Sequence, residues 1–290
     1  MLKIFTNFKT EEDFNFLYSK FKNKPVTIFN DRLPKNQEEL NYNLYNFLII
    51  HEPNEFFGIH NWVIQNHNLF NAILTWNEDI INNCPNTLLF DHGARSEDDK
   101  WLNTFQNISI KKFEISFLSG AKKLVEGHKF RQKIYKLEDQ IKIPKKWYYV
   151  LDDFNWDNYN KGGVGRSING TSATFNNIHK RVCYNESMFH IAVENVKHNN
   201  WYTEKIGDAF ASKTVPIYWG CPNIDNYFDE RGIIRFETEN ELVEIVNSLT
   251  PERYKLMKPY IETNYQLVKE SYFPYTLDKI LTQIIELNNI

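Results

Sequence analysis

The sequence predicts an α/β protein with two Rossmann-like halves. Short apolar runs, typical of buried strands, alternate along the chain with charged or amide-rich segments typical of helices and loops. Residues 189–219 combine an apolar run, an amphipathic helix and a second apolar run, which is the pattern of a βαβ unit. With 290 residues, of which 42% are hydrophobic, the chain can bury a core in each half.

The first half of the chain carries the first series of predicted strands. These strands cover residues 2–8, 26–29, 47–50, 72–75 and 87–90. A stretch without such a pattern lies near residues 96–110, and we therefore predict a first domain over residues 1–105.

A second series of elements predicts a second domain over residues 106–260. It begins with an alternating strand at 113–118 and continues with a helix at 127–140, a strand at 147–151 and the βαβ unit. Residues 261–290 are expected to be helical and to pack on the domains through an apolar stripe. That stripe consists of Leu277, Ile280, Leu281, Ile284 and Ile285.

The start of the helix inside the βαβ unit suits a phosphate. Thr203 is a good N-cap, so Glu204 and Lys205 fall in the first turn, where unpaired amides and the helix dipole favour an anion. Lys205 adds a positive charge, whereas the carboxylate of Glu204 is suited to accepting hydrogen bonds from sugar hydroxyls. A diphosphate together with hydroxyls indicates a nucleotide sugar.

An acidic first turn is also typical of ordinary helices, because it complements the dipole. The neighbouring strand ends favour a binding site. Glu194 and Asn195 end one strand, and residues 216–220 end the next one. Parallel strands of one sheet bring these ends to the same edge, where open α/β sheets bind ligands.

The block resembles the C-terminal signature of glycosyltransferase family 10, the α-1,3/4-fucosyltransferases. It has Phe-x-x-x-x-Glu-Asn at 189–195, Thr-Glu-Lys at 203–205 and Pro-x-x-x-Gly at 216–220. The resemblance implies the GT-B fold, in which two Rossmann-like domains face a cleft, and GDP-fucose as the donor. It also implies a set of donor-binding residues, which are Arg131, Glu194, Asn195, Trp201, Tyr202, Glu204 and Lys205.

Two of these assignments have alternatives. Arg131 resembles the family's arginine for the donor diphosphate, but Arg166 and Arg181 are other candidates, and Arg131 also suits a solvated helix surface. Family members usually have Tyr or Phe followed by Val before the Thr-Glu-Lys triplet. Here Trp201 and Tyr202 stand there, so either ring could face the donor.

Glu52 is our candidate for the catalytic base. It follows a predicted buried strand and resembles in position the glutamate with which family members deprotonate the acceptor hydroxyl. His51, Glu55 and Asp91 are alternatives, and Glu52 would also serve as an ordinary helix cap. We expect no metal site among these acids and histidines, because no zincin pattern occurs and Pro53 disfavours a ligand-bearing helix.

Composition narrows the function classes. The formal net charge of −3 disfavours nucleic acid as a partner. No segment approaches the about 18 apolar residues of a membrane span, and the three cysteines lack metal-ligand spacing, so we expect a cytoplasmic protein. Within the family that it resembles, the chain is therefore more similar to the bacterial or viral type than to members with a transmembrane stem. The leading function is inverting transfer of fucose from GDP-fucose to a glycan hydroxyl, without a cofactor or metal. The alternatives are another nucleotide sugar, or an inactive carbohydrate-binding member.

Overall fold

The computed structural model describes residues 1–7, 21–90, 110–120, 122–150, 182–271 and 273–287. These residues form two compact units, and each unit is built on a five-stranded parallel sheet. Unit 1 contains the described residues of 1–92, 198–201 and 273–290. Unit 2 contains those of 93–197 and 202–272.

The sheet of unit 1 has its strands in the order in which they occur along the chain. They are β1 (Lys3–Thr6), β2 (Val26–Asn30), β3 (Tyr45–Ile50), β4 (Ala72–Thr75) and β5 (Thr87–Leu89). Within the described residues, the helices between them are α1 (Gln37–Leu40), α2 (Asn54–Phe57), α3 (His60–Asn66) and α4 (Glu78–Asn83). Strands β2 and β4 are buried throughout, as expected for a parallel sheet covered on both faces.

The sheet of unit 2 has the order β10-β9-β8-β6-β7. Its strands are β6 (Lys112–Gly120), β7 (Lys145–Val150), β8 (Ser187–Val193), β9 (Val215–Trp219) and β10 (Ile234–Arg235). Its helices are α5 (Glu126–Tyr135), α6 (Val182–Asn185), α7 (Glu204–Ala211), α8 (Glu239–Asn247) and α9 (Pro251–Glu270). Short 3-10 turns occupy His67–Leu69 in unit 1 and Glu138–Gln140, Ile224–Asn226 and Glu230–Gly232 in unit 2.

The predicted βαβ unit is present as β8, α7 and β9, with β8 and β9 paired in parallel. The helix predicted over 127–140 ends at Tyr135 and is followed by the short 3-10 turn. Strand β10 was not predicted, because two residues are too few to show a period. The predicted domain boundary at 260/261 falls inside α9, and the one at 105/106 lies outside the described residues.

The last helix, α10 (Phe273–Leu287), belongs to unit 1 rather than to unit 2. The predicted apolar stripe is the face that it buries. Leu277 and Leu281 are almost inaccessible and join a core with residues of β1, β2, β3 and β4. Described residues from the first and the last part of the sequence therefore belong to the same unit.

Two further sequence-based expectations concern cysteines and membranes. Cys84, Cys183 and Cys221 are all buried and free of disulfides within the described residues. In the same part of the chain, every helix is too short or too polar to cross a bilayer.

We expect Leu281→Ala to lower the free energy of unfolding by about 2–5 kcal/mol, because it opens a cavity between α10 and the sheet of unit 1. Denaturant unfolding of the whole chain measures this loss. Lys279→Ala, which changes an exposed residue of the same helix, is the matched control and should cost little. Equal stabilities of the two variants would contradict the packing described for α10.

Candidate functional site

The carboxylate of Glu194 ties the end of β8 to the start of α7. Its Oε1 accepts a hydrogen bond from the backbone N–H of Thr203 at 2.9 Å, and its Oε2 accepts one from the Thr203 hydroxyl at 2.7 Å. The side chain of Glu194 is completely buried. The Thr203 hydroxyl in turn accepts from the backbone N–H of Lys205, which is the predicted N-cap bond. Glu194 therefore fixes the position at which α7 begins.

Lys205 and Glu204 lie in the first turn of α7, and both are partly exposed. The Nζ of Lys205 lies 3.0 Å from the Thr203 hydroxyl, 3.4 Å from Glu194 Oε2 and 3.8 Å from Glu204 Oε1. About a quarter of each side chain is accessible, at 24% for Lys205 and 27% for Glu204. A cation and a carboxylate are thus presented together at the positive end of a helix.

Arg131, on α5, is buried against the end of β8. Its guanidinium donates to the carbonyl oxygens of Val193 at 2.6 Å and Glu194 at 3.2 Å, and to Asn195 Oδ1 at 2.8 Å. Burial lowers its pKa to about 10, against the opposing effect of Glu194 and Glu204, so it remains charged at neutral pH. Arg131 therefore sits with the predicted donor residues, and it also holds the strand end that carries two of them.

Two glycines allow the backbone segments to approach one another at this edge. A Cβ at Gly127 would overlap the carbonyl oxygen of Glu194 and lie 2.7 Å from that of Asn195. The Gly127 N–H donates to the Asn195 carbonyl at 2.8 Å. A Cβ at Gly220, just after β9, would lie 2.5 Å from Glu194 Cγ. Glycine is required at both positions because a side chain would displace Glu194 or its backbone.

His128 is buried near three cations of unit 2. Burial, together with the positive charges of Arg131, Lys122 and Lys205, lowers its pKa to about 4. The imidazole is therefore neutral at physiological pH, and the surrounding field favours an anion. No sequence pattern singled out His128, because its significance depends on cations from distant parts of the chain.

The two candidate aromatic residues lie in different units. Tyr202 is buried in the core of unit 2, with its ring centroid 4.7 Å from that of Tyr227 and 5.5 Å from that of Phe228. Trp201 is buried in unit 1, and its indole Nε1 donates to the His51 carbonyl at 3.0 Å. The structure thus brings Arg131 together with residues 194, 195, 204 and 205, and donor contact by these residues, as by either ring, stays a prediction.

Glu52 lies in unit 1, two residues after β3. Its backbone N–H donates to Oδ1 of Asp31 at 3.0 Å, and the N–H of His51 donates to the same oxygen at 2.8 Å. Sequence reasoning missed Asp31, although it directly follows β2 and the strand-end argument that selected Glu52 applies to it too.

Two of the alternative candidates for the base lie among the described residues. Glu55 pairs with His198 at 2.9 Å, and His51 is buried. Asp91, Arg166 and Arg181 lie outside the described residues. Within the described ranges no cluster of three or more His, Cys, Asp or Glu side chains could hold a metal ion.

Comparison with solved structures identifies the class of fold. A crystal structure of an α1,3-fucosyltransferase superimposes with a TM-score of 0.59 at 16% identity, covering 98% of this chain and 89% of that one. A crystal structure of an α1,3-fucosyltransferase with GDP-fucose gives a TM-score of 0.57 at 16% identity, covering 98% of this chain and 89% of that one. An apo structure of OtsA gives 0.58 at 7% identity, covering 93% and 75%. The predicted GT-B glycosyltransferase fold is confirmed.

Sequence comparison gives the family. The model described as glycosyltransferase family 10 (fucosyltransferase) C-term matches residues 158–270. The α-(1,3)-fucosyltransferase FucT of Helicobacter pylori is 30% identical over 88 residues, which span 29% of this chain and 18% of that protein. Residues 158–270 therefore match the C-terminal model of glycosyltransferase family 10, and the resemblance predicted from the three motifs is confirmed.

Gly127→Ala should destabilise the protein by about 1–3 kcal/mol and weaken ligand binding at this edge, because the new methyl group displaces the backbone of residues 194 and 195. Thermal unfolding and nucleotide titration measure the two effects. Gly120→Ala is the matched control, since a Cβ there meets nothing within 4 Å. If both variants behaved like the parent protein, the close approach at Gly127 would be refuted.

Proposed function

We propose that this protein is an inverting glycosyltransferase that moves fucose from GDP-fucose to a hydroxyl of an acceptor glycan. One observation carries the proposal: Lys205 and Glu204 are anchored at the start of α7 by the Glu194–Thr203 bonds, inside the segment that matches the family. The solved relative with GDP-fucose supports this choice of donor sugar.

Unit 2 is assigned to the donor. Lys205 supplies a partly exposed cation at a helix N-terminus, and Arg131 supplies a buried one nearby, which suits a diphosphate. Glu204 is the better carboxylate for sugar hydroxyls, because both oxygens of Glu194 already accept hydrogen bonds from Thr203. In this assignment Glu194 positions α7, and Glu204 contacts the sugar.

Unit 1 is assigned to the acceptor, with Glu52 as the base. The carboxylate of Glu52 takes the proton of the acceptor hydroxyl as its oxygen attacks the anomeric carbon of the donor. The bond to the nucleoside diphosphate breaks on the opposite face, so the anomeric configuration inverts. Lys205 and Arg131 stabilise the negative charge of the leaving group, and we propose that no metal or other cofactor is needed.

The location is proposed to be cytoplasmic. All three cysteines are buried thiols without a disulfide in the described structure, which suits a reducing compartment.

A panel of GDP- and UDP-sugars tests the choice of donor. We expect GDP-fucose and GDP to raise the melting temperature, and GDP-fucose to be slowly hydrolysed. Lys205→Ala should lower kcat by roughly a hundredfold to a thousandfold, because a preorganised charge at the leaving group is lost. Lys213→Ala, which removes a lysine paired with Glu262 just beyond the other end of α7, is the control. Stabilisation by UDP-sugars but not by GDP-fucose would overturn the assignment.

The pKa of His128 offers a test that does not depend on turnover. Because Arg131, Lys122 and Lys205 help to lower this pKa, a bound diphosphate should neutralise part of their field and raise it. Titration of the imidazole signals by NMR, with and without GDP, measures the shift. His190 is the internal control: burial and Lys111 lower its pKa to about 3, and GDP should leave it unchanged. An unchanged pKa of His128 in saturating GDP would place the diphosphate elsewhere.

A further inference from the structure

Asp31 occupies a constrained position at the end of β2 in unit 1. It directly follows the strand, is completely buried and has a left-handed backbone with φ of 49°. Its N–H donates to the Ile49 carbonyl at 2.9 Å, and the side-chain amide of Asn7 donates to its carbonyl oxygen. Few non-glycine residues adopt this conformation, although Asp and Asn do so most readily.

The side chain of Asp31 holds the segment that carries Glu52. Oδ1 accepts from two consecutive backbone amides, those of His51 at 2.8 Å and Glu52 at 3.0 Å. Oδ2 is buried and has no hydrogen-bond partner among the described residues. All the hydrogen bonds found for this carboxyl group therefore go to the backbone after β3.

The same peptide is held from its other side by two indoles of unit 1. The carbonyl oxygen of His51 accepts from Nε1 of Trp76 at 2.8 Å and from Nε1 of Trp201 at 3.0 Å. Both rings are almost completely buried. With Asp31 on the two amides and the indoles on the carbonyl, the backbone at Glu52 has little freedom to shift.

We propose that Asp31 is a positioning residue for the base, which fixes Glu52 by holding the amides of His51 and Glu52 with one carboxyl oxygen. The inference rests on the proposed function, in which Glu52 accepts the proton of the acceptor. A base must lie within hydrogen-bond reach of that proton, so its backbone has to be fixed before substrate arrives.

The charge state of Asp31 suits this role. Its pKa is raised to about 8, mainly by burial. The negative charge of Glu52 contributes to this rise, whereas the hydrogen bonds from the two amides oppose it. A largely neutral Asp31 at pH 7 does not place a second negative charge beside Glu52. Because this pKa exceeds the ordinary value of 3.8, the carboxyl group binds a proton in the folded state that the unfolded chain lacks. Stability must therefore fall as pH rises from about 4 to about 8.

Two substitutions of Asp31 test the role of its side-chain oxygen separately from the role of its backbone conformation. Asp31→Asn keeps an oxygen acceptor and tolerates the positive φ, whereas Asp31→Gly tolerates the φ but lacks the acceptor. We expect Asp31→Asn to keep kcat within about threefold, and Asp31→Gly to lower it by roughly a hundredfold, the cost of a misplaced catalytic group. The KM for GDP-fucose should stay within about twofold, because Arg131, Glu204 and Lys205, which hold the donor in the proposed function, are in unit 2.

A matched control separates positioning from general destabilisation. Asn71 Oδ1 accepts the N–H of Asn46 at 2.7 Å near the start of β3, so Asn71→Ala also removes a side-chain acceptor of this strand's backbone, but away from Glu52. It should lower the melting temperature and leave kcat unchanged. In thermal scans from pH 5 to pH 8, the parent protein should lose stability relative to Asp31→Asn, which cannot ionise.

A double-mutant cycle with Glu52→Gln decides whether Asp31 acts through Glu52. Glu52→Gln should lower kcat by about a hundredfold to ten-thousandfold, and Asp31→Gly should then cost little more. An equal cost of Asp31→Gly in both backgrounds, or an unchanged kcat for Asp31→Gly alone, would overturn the positioning role. Full activity of Glu52→Gln would instead remove the base assignment, so the two failures are distinguishable.

Discussion

The candidate site depends on the pair of hydrogen bonds between the buried carboxylate of Glu194 and Thr203. A carboxylate removed from water is costly unless its oxygens are bonded, and here both oxygens are bonded to the N-cap of α7. The bonds therefore satisfy Glu194 and define the start of the helix at the same time. Glu204 and Lys205, one and two residues after Thr203, owe their positions to this constraint.

Both units use a buried carboxyl group at a strand end to hold the backbone that follows. In unit 2 Glu194 accepts from the amide of Thr203, and in unit 1 Asp31 accepts from the amides of His51 and Glu52. The difference lies in the neighbouring charge. Glu194 has Lys205 at 3.4 Å, whereas the side-chain charge that acts on Asp31 is the negative one of Glu52, which adds to the rise in its pKa. Similar geometry thus occurs in two different electrostatic surroundings.

The fold and the match to the family model indicate different things about the function. The GT-B fold is shared with solved structures at 7–16% identity, and a fold of this kind hosts many donors and acceptors. The match over residues 158–270 is to the C-terminal model of glycosyltransferase family 10. The charged residues at the start of α7, on which the proposed donor site is based, lie inside that matched range.

The sequence by itself determined the elements and the motif. Apolar periodicity and one N-cap residue were enough to predict β8, α7 and β9, because these features are local. The order of these elements then places Glu194, Glu204 and Lys205 at the same edge of the sheet. Only the tertiary structure decided which partners Arg131 and Asp31 bind, that Trp201 joins unit 1 and that α10 packs in unit 1. Those outcomes depend on contacts between residues tens to hundreds of positions apart, and no local pattern records such pairings.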